Sequence, residues 1–156
     1  KNSKKLIILK AFTKLYGMAG VRLGYCLCSD TELLARMRAA GQPWAVSSLA
    51  QAAGIAALDE TEYVAKVRAL IEAQRPVLAD GLRALGLRVI EGRANYLLFR
   101  APEALGEALR RKGAALRSCG NYPGLDASWY RTAVRTENEN RQLLALLAET
   151  LPEVAQ

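Results

Sequence analysis

A lysine between an apolar run and a glycine-rich segment is the residue of this sequence best suited to covalent chemistry. Lys14 follows the apolar residues 6–9 and precedes residues 17–24, which contain three glycines. A lysine kept partly out of water loses its proton more easily, and its free amine is then a nucleophile. The position of Lys14 therefore predicts a reaction with an electrophile, although a lone lysine in a loop is more often an ordinary surface residue.

Side chains near this lysine are suited to holding a phosphate. Arg22 carries a planar guanidinium group that can bind two phosphate oxygens, and Thr13 places a hydroxyl group beside the lysine. Gly17, Gly20 and Gly24 allow close approach of the backbone or a positive φ angle. An amine, a guanidinium group and a hydroxyl group without an acid fit a cofactor that has an aldehyde and a phosphate. That cofactor is pyridoxal phosphate (PLP).

The net charge of +7 is concentrated around the same segment. Residues 1–29 contain six basic residues and no acidic ones, and the other 16 basic residues nearly balance the 15 acidic residues. A nucleic-acid-binding protein more often carries a basic stripe with interleaved aromatic residues, so we expect no nucleic-acid partner. The charge favours a small anionic ligand. A solvated basic segment and a non-catalytic, basic anion-binding module are the alternatives.

Composition argues against several other classes of protein. Histidine is absent and the cysteines are Cys26, Cys28 and Cys119, so four zinc ligands are hard to find and we expect no metal site. The odd cysteine count argues for free, buried thiols. The sequence has no apolar run of about eighteen residues, the length that a membrane span needs, and no visible secretory signal. We therefore expect a cytoplasmic protein without a membrane partner.

Two short strands and a helix are predicted to frame the lysine. Residues 6–9 are typical of a buried strand and residues 24–28 of a second strand, because both runs are short and apolar. Ser29 and Glu32 have the spacing of a capping box, which predicts a helix from there to about Ala40. The residues Gly-Gln-Pro that follow end this helix.

Helical periodicity dominates residues 46–86. Asp59 and Glu62 have the spacing of a cap pair, so we expect a second long helix to begin there. Pro76 lies within this second helix and is expected to kink or interrupt it, because proline lacks the backbone N–H of a helical residue.

A layer of strands and helices is predicted for the remaining residues. The predicted strands are residues 87–91, 96–99, 116–119 and 129–134. Pro102 and Gly113 mark the start and the end of a helix, and Thr136 with Glu139 forms the capping box of the last helix. This order predicts a compact α+β or α/β layer. The first 42 residues look like the end of a different layer, so we expect the chain to be a fragment.

The lysine segment resembles a known cofactor-binding signature. Residues 13–25 read T-K-x-x-G-x-x-G-x-R-x-G-Y and are similar to the PLP-lysine motif of fold-type I (class I and II) aminotransferases. The similarity is to the branch that contains histidinol-phosphate aminotransferase. The resemblance implies that Lys14 holds PLP covalently and that Thr13 and Arg22 bind the phosphate of the cofactor.

The same resemblance implies the architecture. It predicts an α/β fold, of which this chain is the C-terminal portion of a PLP-dependent transferase. The implied parts are the end of the PLP-binding large domain in residues 1–42, connecting helices in residues 43–86, and a small α+β domain in residues 87–156.

A stretch near the C-terminus resembles the family strand whose arginine binds the substrate α-carboxylate. Its residues 129–134 read W-Y-R-T-A-V, and the matching arginine is Arg131. A bidentate guanidinium group suits that task. The resemblance also makes Arg117 a contact to the substrate's carboxylate or phosphate and Asn95 a further candidate, with Arg135 a weaker one. Apart from the resemblance, a solvent-facing arginine at a strand edge is the ordinary interpretation.

Further stretches narrow the resemblance within the family. Together they are most similar to the threonine-phosphate decarboxylases of cobalamin biosynthesis, which implies removal of CO2 from L-threonine O-3-phosphate. The stretches are residues 42–47, 94–99, 117–125 and 131–140. If the Cα proton leaves instead, the enzyme is an aminotransferase that transfers an amino group to 2-oxoglutarate, with Lys14 as general acid and base. The sequence leaves both reactions open.

The resemblance further implies that this chain by itself is incomplete. In the family, the aspartate at the pyridine nitrogen, the aromatic residue that stacks on the ring and the tyrosine at O3′ all precede the lysine. Only thirteen residues precede Lys14 here. We therefore expect the piece alone to bind PLP poorly and to be inactive, and the full-length protein to form a homodimer that shares its sites.

Overall fold

A computed structural model describes residue 3 and residues 5–154, and it divides into two compact units, residues 1–67 and residues 68–156. In the described residues, the strands are β1 (Ile7–Ala11), β2 (Gly24–Cys28), β3 (Arg88–Ile90), β4 (Tyr96–Arg100), β5 (Arg117–Ser118) and β6 (Trp129–Ala133). The helices are α1 (Phe12–Leu15), α2 (Thr31–Ala40), α3 (Ser48–Asp59), α4 (Thr61–Ala84), α5 (Leu105–Arg111) and α6 (Glu137–Val154). The predicted order of strands and helices after residue 86 is confirmed.

The first unit contains an antiparallel ribbon of β1 and β2, paired from Ile7 with Cys28 to Ala11 with Gly24. The predicted strand at residues 6–9 is present, but the prediction that it is buried is wrong, since every residue of β1 is exposed. In the described part of the chain β1 pairs with β2 alone, so its apolar side chains keep much of their surface, 77% in the case of Leu9.

The three cysteines are free thiols, as predicted, but only Cys119 is buried. Cys26 and Cys28 are half-buried, because they lie on the same thin ribbon. The expectation of three buried thiols is therefore wrong for the two cysteines of β2.

The helix after β2 is present, but its predicted cap is displaced by one residue. Asp30, not Ser29, is the N-cap, and its Oδ1 accepts a hydrogen bond from the Leu33 N–H at 2.9 Å. A cap side chain reaches the backbone N–H three residues ahead, and a carboxylate is a good acceptor at the positive end of a helix. Glu32 lies in the first turn, where its charge is also favourable.

The two long helices are separated at Glu60, close to the predicted position. Asp59 is the last residue of α3 and does not begin α4, which starts at Thr61. Pro76 does not interrupt α4, which continues to Ala84. The carbonyl group that loses its partner belongs to Glu72, which is exposed, so water can hydrogen-bond to it and the helix tolerates the proline.

The second unit is a four-stranded antiparallel sheet with helices against one of its faces. The strand order is β3-β4-β6-β5. Buried side chains alternate along β4 and β6, as expected for a sheet with one covered face. The fully buried leucines and phenylalanine of the core are Leu78, Leu82, Phe99, Leu105, Leu109 and Leu147. They come from α4, β4, α5 and α6, so the helices cover one face and leave the residues of the other face more exposed.

Helix ends in the second unit follow the predicted chemistry with one shift. Gly113 has φ +85°, and its N–H and that of Ala114 close α5 by bonding to the carbonyls of Arg110 and Leu109 at 3.0 and 2.9 Å. Pro102 begins a turn rather than the helix, since α5 starts at Leu105. Among the helices of the described residues, none is both long enough and apolar enough to cross a membrane.

Candidate active site

The lysine segment is a closed loop in the first unit. The Phe12 N–H donates to the Leu23 carbonyl at 3.2 Å, and the Met18 N–H donates to the Phe12 carbonyl at 3.3 Å. Phe12 is 4% exposed and stacks on Tyr16 with ring centroids 5.1 Å apart. Thr13 follows Phe12 and Arg22 precedes Leu23 in the sequence. The Phe12–Leu23 hydrogen bond therefore brings the backbones of Thr13 and Arg22 close together.

Two of the three glycines have the roles that the sequence predicts. Gly17 has φ +66°, which a residue with a side chain rarely adopts. At Gly24, an added Cβ atom would lie 2.9 Å from the Lys10 carbonyl oxygen, so the close pairing of the ribbon needs a glycine. Gly20 has neither a positive φ nor a close neighbour in the described chain, and its predicted role is not seen.

Arg22 has an unusual backbone conformation. Its φ is +58°, and its Nη1 donates to the Ala19 carbonyl at 3.4 Å. The left-handed region costs a residue with a side chain about 1 kcal/mol or more, and such residues occur often at ligand sites. The loop therefore holds Arg22 in a backbone conformation that a residue with a side chain rarely adopts. The role of Arg22 in binding a phosphate stays a prediction.

Lys14 is exposed and Thr13 is half-buried. In the described residues, the chain therefore does not keep the Lys14 side chain partly out of water. The physical reason is that α1 has a single turn, which turns only Phe12 into the interior. An open groove of about 980 Å³ in the same unit is lined by residues of β1, β2, α2 and the segment after α2; Lys14 is not among them.

The predicted substrate residues Arg131 and Arg117 lie side by side in the second unit. They are directly paired across β6 and β5, so both side chains project from the same face of the sheet. The Arg131 guanidinium carbon lies 4.7 Å from the centre of the Tyr96 ring, a cation–π contact. Arg131 is half-buried, and Arg117 is exposed with its Nη2 3.4 Å from Asn121 Oδ1.

Asn95 lies at the edge of this group. It precedes Tyr96, and its carbonyl accepts a hydrogen bond from the Val134 N–H at 2.9 Å. The structure thus brings Asn95, Arg131 and Arg117 to the β4-β6-β5 part of one sheet.

Comparison with known proteins identifies the family of the chain. Residues 1–147 match the family described as aminotransferase class I and II. The chain belongs to this family.

Relatives with two different enzyme activities have similar sequence identity to this aminotransferase-family chain. Threonine-phosphate decarboxylase from Salmonella typhimurium is 37% identical over 159 residues, covering 99% of this chain and 44% of the relative. Histidinol-phosphate aminotransferase from Symbiobacterium thermophilum is 39% identical over 151 residues, covering 95% of this chain and 41% of the relative. The chain therefore spans less than half the length of these relatives.

Solved structures give the same family and fold. Histidinol-phosphate aminotransferase from Clostridium acetobutylicum matches with a TM-score of 0.91 at 30% identity, covering 97% of this chain and 47% of that one. The enzyme of the same name from Sinorhizobium meliloti, solved with pyridoxal 5′-phosphate, matches with a TM-score of 0.74 at 25% identity, covering 97% and 41%. The predicted fold, the C-terminal portion of a PLP-dependent transferase, is confirmed, and the family supports PLP as the cofactor.

The residues of the lysine loop fit this cofactor. Lys14 offers an accessible amine, Thr13 a hydroxyl group and Arg22 a guanidinium group, and no carboxylate occurs in residues 1–29 to repel a phosphate. An aldehyde with a phosphate matches this set of donors. The assignment of the individual residues remains a prediction.

Arg135 is bound to two residues of α6. Its Nε donates to Glu139 Oε1 at 2.8 Å, and its backbone N–H donates to Asn140 Oδ1 at 3.1 Å. The side chain of Arg135 is thus paired with a carboxylate in the described chain, and its weaker candidate role in substrate binding stays a prediction.

Two contacts in the second unit are not predicted by the sequence, one at Arg131 and one between α6 and α4. Tyr96 was only part of a matched stretch, and its ring proves to lie under the guanidinium group. Asn140, which is 2% exposed, and Gln74 hydrogen-bond to each other although they are 66 positions apart. An asparagine one turn into a helix carries no local signal for such a long-range bond.

Proposed function

We propose that this chain is the C-terminal portion of a longer, PLP-dependent L-threonine O-3-phosphate decarboxylase. The relatives are more than twice as long as the stretch that matches, so activity is proposed for the longer protein. We further propose that this protein is a cytoplasmic homodimer, that it has a small phosphorylated amino acid as its substrate, and that neither nucleic acid nor membrane is its partner.

The arginine pair is the observation that carries the substrate class. Arg131 and Arg117 are direct neighbours across two strands and project from the same face. L-Threonine O-3-phosphate has two anionic groups, a carboxylate and a phosphate, and each guanidinium group can bind one of them through two hydrogen bonds. In this proposal Arg131 binds the carboxylate, Arg117 binds the phosphate or assists Arg131, and Asn95 supplies a further polar contact.

The lysine loop supplies the other half of the proposal. Lys14 holds the cofactor covalently, and Thr13 and Arg22 bind its phosphate. PLP, when bound, stabilises negative charge that develops at the substrate Cα. The Lys14 amine is also suited to move a proton to or from that carbon, and the grip of Arg131 on the carboxylate orients the bond that breaks.

Histidinol-phosphate aminotransferase is the second candidate function. The near-equal identities to the two kinds of relative, 37% and 39%, favour neither activity. An amino donor such as glutamate also has two anionic groups, which the arginine pair would fit. The difference between the two reactions is which bond at Cα breaks, the bond to the carboxylate or the bond to hydrogen.

The deciding experiment follows CO2 release from L-threonine O-3-phosphate by the full-length protein loaded with PLP. We expect the wild-type protein to release CO2. The variant Lys14→Ala should lose both this release and the absorbance of the bound cofactor, because the covalent attachment point is gone. The matched control is Lys10→Ala, which removes an exposed lysine of β1 and should keep both signals.

Other outcomes have definite meanings. Transfer of an amino group from histidinol phosphate to 2-oxoglutarate, without CO2 release, would replace the decarboxylase with the aminotransferase. If Lys14→Ala and Lys10→Ala weaken the binding of PLP and of inorganic phosphate equally, the loop is a generic basic anion-binding module and the enzyme proposal fails.

A further inference from the structure

The end of the β4/β6 pair at which Tyr96 faces Ala133, two residues from Arg131, is tied to helix α4. Arg75 on α4 donates from Nε to the Ala94 carbonyl at 2.9 Å and from Nη2 to the Arg93 carbonyl at 3.1 Å. Those two carbonyls belong to the segment that leads directly into β4. Arg75 therefore fixes the backbone immediately before the ring on which the Arg131 guanidinium group stacks.

A buried amide ties the other strand of the pair to the same helix. Asn140 Oδ1 accepts from the Arg135 N–H at 3.1 Å, and its Nδ2 donates to the Arg135 carbonyl at 2.9 Å and to Gln74 Oε1 at 3.2 Å. One carboxamide group thus holds both backbone polar groups of the residue that follows β6 and Val134. Because Asn140 is 2% exposed, water does not readily replace these bonds.

The two ties meet at one place. The Val134 N–H donates to the Asn95 carbonyl at 2.9 Å, which joins the segment held by Arg75 to the segment held by Asn140. Gln74 and Arg75 are consecutive residues, so a single turn of α4 braces the end of β6 and the start of β4.

We propose that Asn140, Gln74 and Arg75 are positioning residues for the Arg131 guanidinium group. They hold the two backbone segments at the Tyr96 end of the strand pair, so that the ring keeps one place under the Arg131 guanidinium group. The inference rests on the proposed role of Arg131 in binding the substrate carboxylate. Displacing a binding group by about 1 Å can reduce a rate about 100-fold, so such bracing matters for catalysis.

The test uses the full-length holoprotein and the isosteric variant Asn140→Asp. The carboxylate keeps an acceptor for the Arg135 N–H but loses the two donated bonds and places charge against the Arg135 carbonyl and Gln74 Oε1. Selective 15N labelling of arginine reports the Arg131 Nε–H resonance, which is assigned by its absence in Arg131→Lys. Its ring-current shift from Tyr96 is defined by comparison with Tyr96→Leu.

We expect Asn140→Asp to remove most of this ring-current shift and to raise the KM for L-threonine O-3-phosphate about 10-fold, while the absorbance of bound PLP stays unchanged. Gln74→Met serves as a milder variant if Asn140→Asp does not fold, and it should change both readouts in the same direction. The matched control is Asn138→Ala, an exposed asparagine in the first turn of α6, which should change neither.

A folded Asn140→Asp or Gln74→Met protein with an unchanged Arg131 resonance would overturn the proposal, even if its melting temperature falls, because the residues would then act on stability alone. A changed resonance with an unchanged KM would also overturn it. If the wild-type protein does not convert L-threonine O-3-phosphate but Asn140→Asp changes the Arg131 resonance as expected, the proposed function fails. The bracing of Arg131 then still stands.

Discussion

Glu139 makes several contacts at the start of α6 that all favour its charged form. Its Oε2 accepts from Thr136 Oγ1 at 2.6 Å and from the Thr136 N–H at 3.2 Å. Its Oε1 accepts from the Arg135 guanidinium group at 2.8 Å. These hydrogen bonds, first those from Thr136 and then those from Arg135, lower the pKa of the Glu139 carboxyl group from 4.5 to about 2. The capping box that the sequence predicts at Thr136 and Glu139 is therefore confirmed.

The lowered pKa of Glu139 gives the stability a pH dependence. A carboxyl group with a lower pKa in the folded state stabilises the fold fully above its unfolded pKa, and this contribution is lost as the pH falls through the folded pKa. We expect Glu139→Gln to be less stable than the wild type above pH 4.5, and the difference to disappear as the pH approaches about 2. Urea unfolding midpoints between pH 2 and pH 6 measure it.

Glu137→Gln is the control for this experiment, since Glu137 lies in the same helical turn and is exposed. It removes one carboxylate from the first turn and should have a smaller effect. Equal pH dependence of the two variants would show that the charge near the helix end, rather than the specific contacts of Glu139, determines the stability.

At the scale of elements, a tyrosine joins α5 to the sheet. Tyr130 on β6 is 3% exposed, and its hydroxyl group donates to the Glu103 carbonyl at 2.5 Å and accepts from the Gly106 N–H at 3.2 Å. A Cβ atom at Gly106 would lie 2.9 Å from the ring carbon Cε1. The ring cannot turn away without losing its hydrogen bonds, so the close packing of α5 on β6 depends on this glycine.

Gly106→Ala is expected to destabilise the protein. Overpacking costs about 1–3 kcal/mol, and the gain in helix propensity from replacing glycine is about 1 kcal/mol at most. We therefore expect a net loss of up to about 2 kcal/mol in the free energy of unfolding, measured by chemical denaturation. Gly92→Ala is the matched control, because nothing lies within 4 Å of its added Cβ atom. A stable Gly106→Ala protein would mean that the ring adapts at little cost.

At the scale of the whole molecule, the main hydrophobic core lies in the second unit. All members of the core cluster of buried residues, and the partly buried residues against it, lie between residues 71 and 154. The first unit has a thin ribbon with exposed apolar side chains and few buried residues in the described chain. Backbone amides are protected from exchange where they are hydrogen-bonded within well-packed structure, so the two units should differ in local stability.

Leu147→Ala tests where the stability is located. Leu147 is fully buried, and truncating such a leucine costs about 2–5 kcal/mol. In hydrogen exchange of the full-length protein, we expect the largest loss of protection in β4, β6, α5 and α6. Leu49→Ala is the control, since Leu49 is 82% exposed and its truncation should leave these amides protected. A loss of protection that is larger in residues 24–40 would contradict the assignment of the core.

The sequence by itself determined the features that depend on neighbours along the chain. Thr13, Lys14 and Arg22 lie within ten positions of each other, so their chemistry and the family signature are visible as spacing. The last helix and its cap are visible for the same reason, because a capping box joins residues three positions apart. The repeat of apolar residues also predicted the strand and helix order after residue 86.

Only the tertiary structure decided the contacts between distant residues. The pairing of Arg117 with Arg131 depends on strand register, and the bond from Asn140 to Gln74 on the packing of α6 against α4. The sequence also does not reveal that β1 is exposed, since an apolar strand is buried only where another part of the protein covers it. Local spacing follows from fixed backbone geometry, whereas register and burial follow from the packing of the whole unit.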